Sequence, residues 1–237
     1  MVQFLIQKPA QFKIDLNAKI AKVSYAWLEE GTAAFHNACE NGHLKIVEML
    51  IENSAQLNID LNSKSKRGMT AFRSACSSKG HLRIAELLMQ KSAIFSIDLN
   101  EKDNWNDYTA FLFACEDGRI ETVEFLVHKS IELNINFNAT DKNSNTAFHL
   151  ACSSREQKNA ELIMKKSIEL NIDLNAKNNS GQTAFHVACS RNCLKIAELL
   201  IHQSTAFNID LNAKDENGRT SFHDACQFGY FLGKYLS

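Results

Sequence analysis

The stretch that decides the fold is GQTAFHVACSRNCLKIAELLI, residues Gly181–Ile201, which recurs along the chain with small changes. Its most regular feature is a phenylalanine followed four residues later by a cysteine, and this pair occurs six times. The cysteines are Cys39, Cys76, Cys115, Cys152, Cys189 and Cys226, at separations of 37, 39, 37, 37 and 37 residues. A fixed period of this size is typical of stacked repeat arrays. The chain is therefore predicted to be a repeat protein.

Within one unit, the spacing of apolar residues predicts two helices and an extended finger. The helix-starting Thr183 precedes a run of small and large apolar residues that ends at Cys189. Apolar residues then recur with helical spacing, at Leu194, Ala197, Leu200 and Ile201. From Phe207 to Leu211 apolar and polar residues alternate, and this period of two predicts extended chain. A turn at Lys214–Gly218 closes the unit.

The unit resembles the ankyrin repeat, whose motif G-x-T-P-L-H-x-A-A-x-x-G-H appears in altered form from Gly181 to Cys189. Alanine replaces the family's proline, phenylalanine its leucine, and cysteine its second small residue. The family repeat has about 33 residues, and the surplus in this chain falls at Phe207–Asp210. The resemblance implies an all-α fold, an ankyrin-repeat solenoid of stacked helix-turn-helix units with extended β-hairpin fingers.

The period divides the chain into seven segments. Residues 1–29 are expected to form a degenerate half repeat and N-terminal cap, and residues 217–237 a truncated sixth repeat. Five full repeats are expected between them, at residues 30–66, 67–105, 106–142, 143–179 and 180–216.

The repeats differ at positions that the family uses to join neighbouring units. A threonine and a histidine form a polar network in the family, but Arg73 and Leu112 replace the histidine in repeats two and three. These two repeats are expected to be held more by packing. Asn192 and Arg155 replace the glycine between the helices, and Asn adopts the required left-handed conformation more readily than Arg. Repeat four is therefore expected to be the weakest link.

Composition excludes several classes of protein. The 237 residues contain 26 Lys and Arg against 27 Asp and Glu, with 45% hydrophobic residues, which is ordinary globular usage. No apolar run approaches the roughly 18 residues that span a bilayer, and the first residues do not read as a secretory signal. We therefore expect a monomeric cytoplasmic protein, with the nucleus as the alternative compartment, and no membrane partner.

The residues that carry chemistry recur once per repeat, as structural positions do. The H-x-x-C pairs, such as His186 with Cys189, place two metal ligands on one helix face, but a structural zinc site needs four converging ligands. The alternative is that each cysteine is a small buried residue and each histidine part of the inter-repeat network, and this alternative is favoured. No G-x-S-x-G, phosphate-binding loop or H-E-x-x-H motif is present. We predict no enzyme activity, cofactor, metal or small-molecule substrate.

Partner binding is the function that the resemblance implies, because ankyrin partners usually dock on the concave side formed by fingertips and first-helix ends. The candidate residues at these positions are Trp105, Tyr108, Lys66, Arg67, Met69, Glu116, Asp117, Lys142, Asn145, Gln182 and Arg191. Trp105 and Tyr108 stand out, since interfaces are enriched in Trp, Tyr and Arg. The alternative for Trp105 is that it folds back onto the finger of its own repeat. Nucleic acid is not expected, because the lysines along the fingers run beside a row of aspartates.

The resemblance also implies a modification. Finger asparagines that follow an acidic-aliphatic pair can be substrates of an asparaginyl hydroxylase, and Asn62, Asn100, Asn175 and Asn212 have this context. Together these features predict a non-catalytic protein-protein interaction scaffold or adaptor. The alternative is a targeting module excised from a larger enzyme or effector whose activity lies outside this chain.

Overall fold

The computed structural model describes residues 15–20, 32–77, 81–129, 134–154 and 156–227. The helices in these residues are α1 (Ala34–Glu40), α2 (Leu44–Glu52), α3 (Ser54–Leu57), α4 (Ala71–Ala75), α5 (Leu82–Phe95), α6 (Ala110–Glu116), α7 (Ile120–His128), α8 (Ala147–Ser153), α9 (Gln157–Lys166), α10 (Ala184–Ser190), α11 (Leu194–Phe207) and α12 (Ser221–Gln227). The spacing between the first residues of α1, α4, α6, α8, α10 and α12 is the same as the spacing between the six periodic cysteines. Across the described ranges, no helix combines the length and the apolar character that a bilayer crossing needs.

Each short helix is stabilised by its neighbours, since a helix of two turns is marginal alone. In five of these helices the periodic phenylalanine lies in the core, and Phe35, Phe72, Phe111 and Phe148 are each at most 2% exposed, whereas Phe222 in α12 is 50% exposed. The first five of the period-defining cysteines, which lie in or directly after these helices, are buried. The periodic phenylalanine and cysteine therefore mark the buried face of the short helix.

The chain forms two compact units, residues 1–110 with 129–135 and residues 111–128 with 136–237. In the first unit, α1 packs against α2 and α4, and α4 packs against α5. In the second unit, α8 packs against α9 and α10, while α10 packs against α11 and α12. Both units therefore consist of stacked helix pairs.

A left-handed residue turns the chain between the two helices of a pair. Gly42 and Gly118 have φ angles of 75° and 73°, and Asn192 has φ 56°. The prediction that Asn192 adopts this conformation is confirmed, whereas Arg155 lies outside the described residues. A Cβ atom at Gly42 would also lie 2.4 Å from the ring of His81, so a larger residue there would displace that side chain.

The residues by which these repeats exceed the family length of about 33, at Phe207–Asp210 in repeat five, differ in structure from the expectation. Helix α11 continues through Phe207 and has 14 residues, so the prediction of extended chain is wrong at Phe207. Asn208 ends the helix with φ 51°, and the Ile209 N–H donates to the Ser204 carbonyl. This is a left-handed C-cap, for which asparagine is well suited. Two isolated antiparallel β-bridges occur among the described residues, Lys19 with Ala33 and Thr140 with Thr146.

Candidate partner-binding site

Five tight turns, here called fingertips, precede the short helices. In each turn, the N–H of the first residue donates to the carbonyl of the last over 2.8–3.0 Å. They are numbered second to sixth after the repeat whose short helix each one precedes, and lie at residues 65–69, 103–108, 141–145, 178–182 and 215–219. The third fingertip, Asp103–Tyr108, is one residue longer than the others, which accounts for one of the two extra residues between Cys76 and Cys115.

Neighbouring fingertips are joined through their backbones within each compact unit. The Asn104 N–H donates to the Arg67 carbonyl over 2.7 Å, and its side-chain amide reaches the Lys66 carbonyl over 3.4 Å. In the second unit, the Asn179 N–H donates to the Asn143 carbonyl over 2.9 Å. Each of these tips is therefore fixed against the preceding one.

Trp105 is the large aromatic residue that the third fingertip presents. It is 56% exposed, and the guanidinium carbon of Arg67 lies 4.4 Å from the centre of its ring. This distance is typical of a cation–π contact. The indole thus contacts the preceding finger while more than half of the residue remains accessible.

Tyr108 is placed differently from the prediction. It is only 5% exposed, and its N–H donates to Asp103 Oδ1 over 3.2 Å. The expectation that Tyr108 presents its side chain to a partner is therefore wrong, because the last residue of this turn enters the core.

A buried ion pair holds the third fingertip to α4, the short helix of repeat two. Arg73 Nη2 in α4 lies 2.9 Å from Asp103 Oδ2, and the two side chains are 9% and 5% exposed. The other carboxylate oxygen accepts N–H groups of Trp105, Asn106 and Tyr108 over 2.9–3.2 Å. Repeat two was expected to be held more by packing than by a polar network, and at Arg73 the structure instead supplies a polar link. Arginine replaces the histidine link with a charged one.

The histidines make the expected link in three other repeats. Nε2 of His36, His149 and His186 lies 2.9–3.1 Å from the carbonyl oxygens of Met69, Gln182 and Arg219. In each case Nδ1 accepts the backbone N–H at the helix N-cap, so Nε2 carries the proton and donates to the carbonyl. Burial lowers the pKa of His149, opposed by the bond to Gln182. Both ring nitrogens are therefore used in structure.

This periodic architecture agrees with known families. A family model described as "Ankyrin repeats (3 copies)" matches residues 1–103 and 91–178. A second, "Ankyrin repeats (many copies)", matches residues 168–225. The chain belongs to the ankyrin-repeat family.

Solved structures agree with this assignment. The ankyrin repeat domain of Bcl-3, a member of the IkappaB protein family, matches with a TM-score of 0.70 and 22% identity over 85% of this chain and 83% of that one. A chain from the complex of the Bd0816 predatory endopeptidase of Bdellovibrio bacteriovorus with immunity protein Bd3460 matches with a TM-score of 0.63 and 26% identity, over 84% of this chain and 93% of that one. A search of curated protein sequences gives no significant match. The all-α ankyrin-repeat fold is thus confirmed.

The remaining candidate residues of the ankyrin array are distributed over both compact units. The exposed ones are Lys66, Arg67, Glu116, Asp117, Lys142 and Arg191. The half-buried ones are Met69, Asn145 and Gln182. The structure brings Lys66, Arg67 and Trp105 together at the joined second and third fingertips. Asn145 and Gln182 instead share the side chain of Asn178, which binds the Asn145 side chain and the Gln182 N–H.

The finger asparagines join successive ankyrin repeats, a role that the sequence analysis missed. The side-chain amides of Asn62, Asn100 and Asn175 donate over 2.8–3.1 Å to carbonyls of Phe95, Asn134 and Asn208. Asn175 Oδ1 also accepts the Asp210 N–H over 2.8 Å. The recurring Asp-Leu-Asn sequence was the available signal, because an amide can donate and accept across a fixed repeat spacing.

The seven cysteines of the ankyrin repeats are all free thiols. Burial raises the pKa of Cys76 and Cys189 to about 12, so these two sulfurs are protonated at neutral pH. In the part of the chain that the structure describes, no group of three or more His, Cys, Asp or Glu could hold a metal ion.

Proposed function

We propose that this ankyrin-repeat protein is a non-catalytic scaffold or adaptor that binds a protein partner on its finger and first-helix face. The observation that carries the proposal is Trp105, which is 56% exposed and yet positioned by Arg67 and by the hydrogen bonds of its turn. Holding a large indole in contact with water forgoes its burial. Such residues are typical of the centres of protein interfaces.

The rigidity of the fingertips supports the same function. Backbone bonds join the second and third tips, and the Arg73–Asp103 pair ties the third tip to α4. A surface that is ordered before binding loses less conformational entropy on association. The 26% identical chain comes from a complex of two proteins, which agrees with a protein as the ligand.

The titratable residues that recur in the repeats support a non-catalytic role. His36, His149 and His186 use both ring nitrogens in the joints between repeats. The seven free thiols fit a reducing compartment, so we place the protein in the cytoplasm or nucleus. Lys142, Arg191, Glu116 and Asp117 are proposed as further contacts because they are exposed at the tips and helix ends.

Affinity capture from host-cell lysate tests the proposal, with native protein compared with Trp105→Ala. Asn143→Ala is the matched control, because Asn143 is an exposed tip residue that bonds to Asp141 and Asn179 through its backbone. We expect a partner that is retained by the native and control proteins and lost with Trp105→Ala, with circular dichroism unchanged. Equal capture by all three proteins would contradict a site at Trp105, and no capture by any of them would count against the scaffold.

A further inference from the structure

The joined second and third fingertips form one basic and aromatic surface, here called the platform, made of Lys66, Arg67 and Trp105. All three residues are exposed. Asn104 fastens the two tips through the carbonyls of Lys66 and Arg67. The side chains on the platform can therefore vary without loss of the backbone bonds that hold it.

Two of the three acidic side chains in these fingertip segments, Glu101 and Asp103, are engaged within the protein. Asp103 is buried against Arg73, and the Glu101 carboxylate lies 2.7 Å from Lys64 Nζ. Among residues 64–69 and 101–107 together with Arg73, five basic residues stand against three acidic ones. The formal charge of this region is thus positive in a protein whose net charge is −1.

The tips of the second compact unit have a different character. Asn143, Asn179 and Ser180 are exposed there, and the Ser144 hydroxyl donates to Asn179 Oδ1. None of the tips at residues 141–145, 178–182 and 215–219 contains an aromatic residue, although Lys142 is exposed and Arg219 is half-buried there. The basic and aromatic combination is therefore a local property of the first unit and not of fingertips in general.

We infer that the platform binds an acidic segment of the protein partner, with carboxylates at Lys66 and Arg67 and an apolar side chain against the Trp105 indole. This inference rests on the proposed function, since it names the partner chemistry of the same site. Guanidinium groups bind carboxylates through paired hydrogen bonds. An indole that is already covered on one side by Arg67 offers its remaining surface to apolar groups.

An unbiased peptide library displayed on phage provides the test, because it does not depend on the identity of the partner. The library is selected in parallel on the native protein, on Lys66→Glu/Arg67→Glu, on Trp105→Ala, and on Lys158→Glu as a control charge reversal at an exposed residue of α9. We expect native and control selections to enrich peptides rich in Asp and Glu that include an apolar residue. The double reversal should lose that enrichment.

Selected peptides are then synthesised and their affinities are measured by fluorescence anisotropy. Trp105→Ala should weaken binding by about thirtyfold or more, as truncation of a central interface residue does. Binding should also weaken as salt rises, because exposed charges are screened. All variants must retain the native circular dichroism spectrum.

Several results would overturn the inference. These are native selections with no excess of acidic residues, an acidic excess that survives Lys66→Glu/Arg67→Glu, and a failure to enrich any peptide. Tighter binding of a single-stranded DNA oligonucleotide than of the selected peptides would also overturn it. If lysate capture still depends on Trp105 in these cases, the scaffold function stands and only the acidic chemistry fails.

Discussion

Replacing Arg73 with methionine tests the buried ion pair that fixes the platform. Arg73 Nη2 and Asp103 Oδ2 are 2.9 Å apart, with side chains 9% and 5% exposed. Removing one partner of such a pair leaves a buried charge without compensation, which typically costs about 3–5 kcal/mol. Three backbone N–H groups would still donate to Asp103 Oδ1, so we expect a loss near the lower limit, about 3 kcal/mol.

The double variant Arg73→Met/Asp103→Asn separates the charge from the other effects of the substitution. An asparagine carbonyl can accept the same N–H groups, and no charge remains buried. The double variant should therefore be more stable than Arg73→Met by at least about 1 kcal/mol. The difference between the free energies of unfolding of the two variants measures the cost of the isolated carboxylate.

Urea unfolding followed by tryptophan fluorescence provides the assay. Trp105 lies in the turn that Asp103 caps, and Trp27→Phe in every variant removes the other tryptophan of the chain. A local probe is needed because repeat arrays can unfold in parts. A loss below about 1 kcal/mol for Arg73→Met, the level of an exposed pair, would refute the reasoning. A double variant no more stable than the single variant would refute it as well.

Further predictions concern the joints between repeats. Asn159 in α9 is 0% exposed, its Oδ1 has no hydrogen-bond partner, and its Nδ2 makes only long bonds, 3.3 and 3.4 Å, to the Ala114 and Cys115 carbonyls. Isoleucine stands at the equivalent positions 84 and 196, so Asn159→Ile should stabilise by about 1 kcal/mol in urea unfolding. A loss of stability would show that the two amide bonds outweigh the unpaired oxygen. Ile163 is 0% exposed, so Ile163→Ala should lower the free energy of unfolding by about 2–5 kcal/mol and split unfolding into two steps. The matched variant Leu162→Ala, at a half-buried site, should cost less. A single sharp transition for Ile163→Ala would count against repeat four as the weakest link. Burial lowers the pKa of His149, so its stabilising contribution is fully present above the unfolded pKa of about 6.5 and is lost as the pH falls through the folded value. The urea midpoint of His149→Gln should therefore depend less on pH than that of the native protein. An identical pH dependence of the two midpoints would exclude His149 as the cause. Gly42→Ala meets the His81 ring and a φ of 75°, whereas Gly218→Ala meets only a φ of 74° with nothing within 4 Å; both should lower the melting temperature, Gly42→Ala more, and the reverse order would refute the steric argument.

The sequence predicts those features that depend on residues close together in one repeat. The cysteine period locates the described helices α1, α4, α6, α8, α10 and α12, because the same local pattern folds in the same way each time. Asn192 is recognisable as left-handed because that preference belongs to the residue itself. Trp105 is recognisable as a candidate because its turn has gained a residue.

Features that depend on distant residues cannot be predicted in the same way. Arg73 and Asp103 are 30 positions apart, and their pairing requires the stacking of two repeats. Tyr108 is buried at the end of its turn, whereas Met69, Asn145, Gln182 and Arg219 at the ends of the other turns are half-buried. At Phe207 the sequence predicts extended chain because alternation over a few residues does not separate a strand from a helix end, and Asn208 decides the matter by capping α11.

The most direct test of the platform is oxidative footprinting of Trp105, read by mass spectrometry with and without the captured partner. In the free protein the exposed indole should react readily with hydroxyl radicals. Binding at the platform predicts strong protection of Trp105, while exposed aromatic residues elsewhere, such as Phe222, keep their reactivity. Unchanged oxidation of Trp105 in a saturated complex would contradict a partner-binding site at the second and third fingertips.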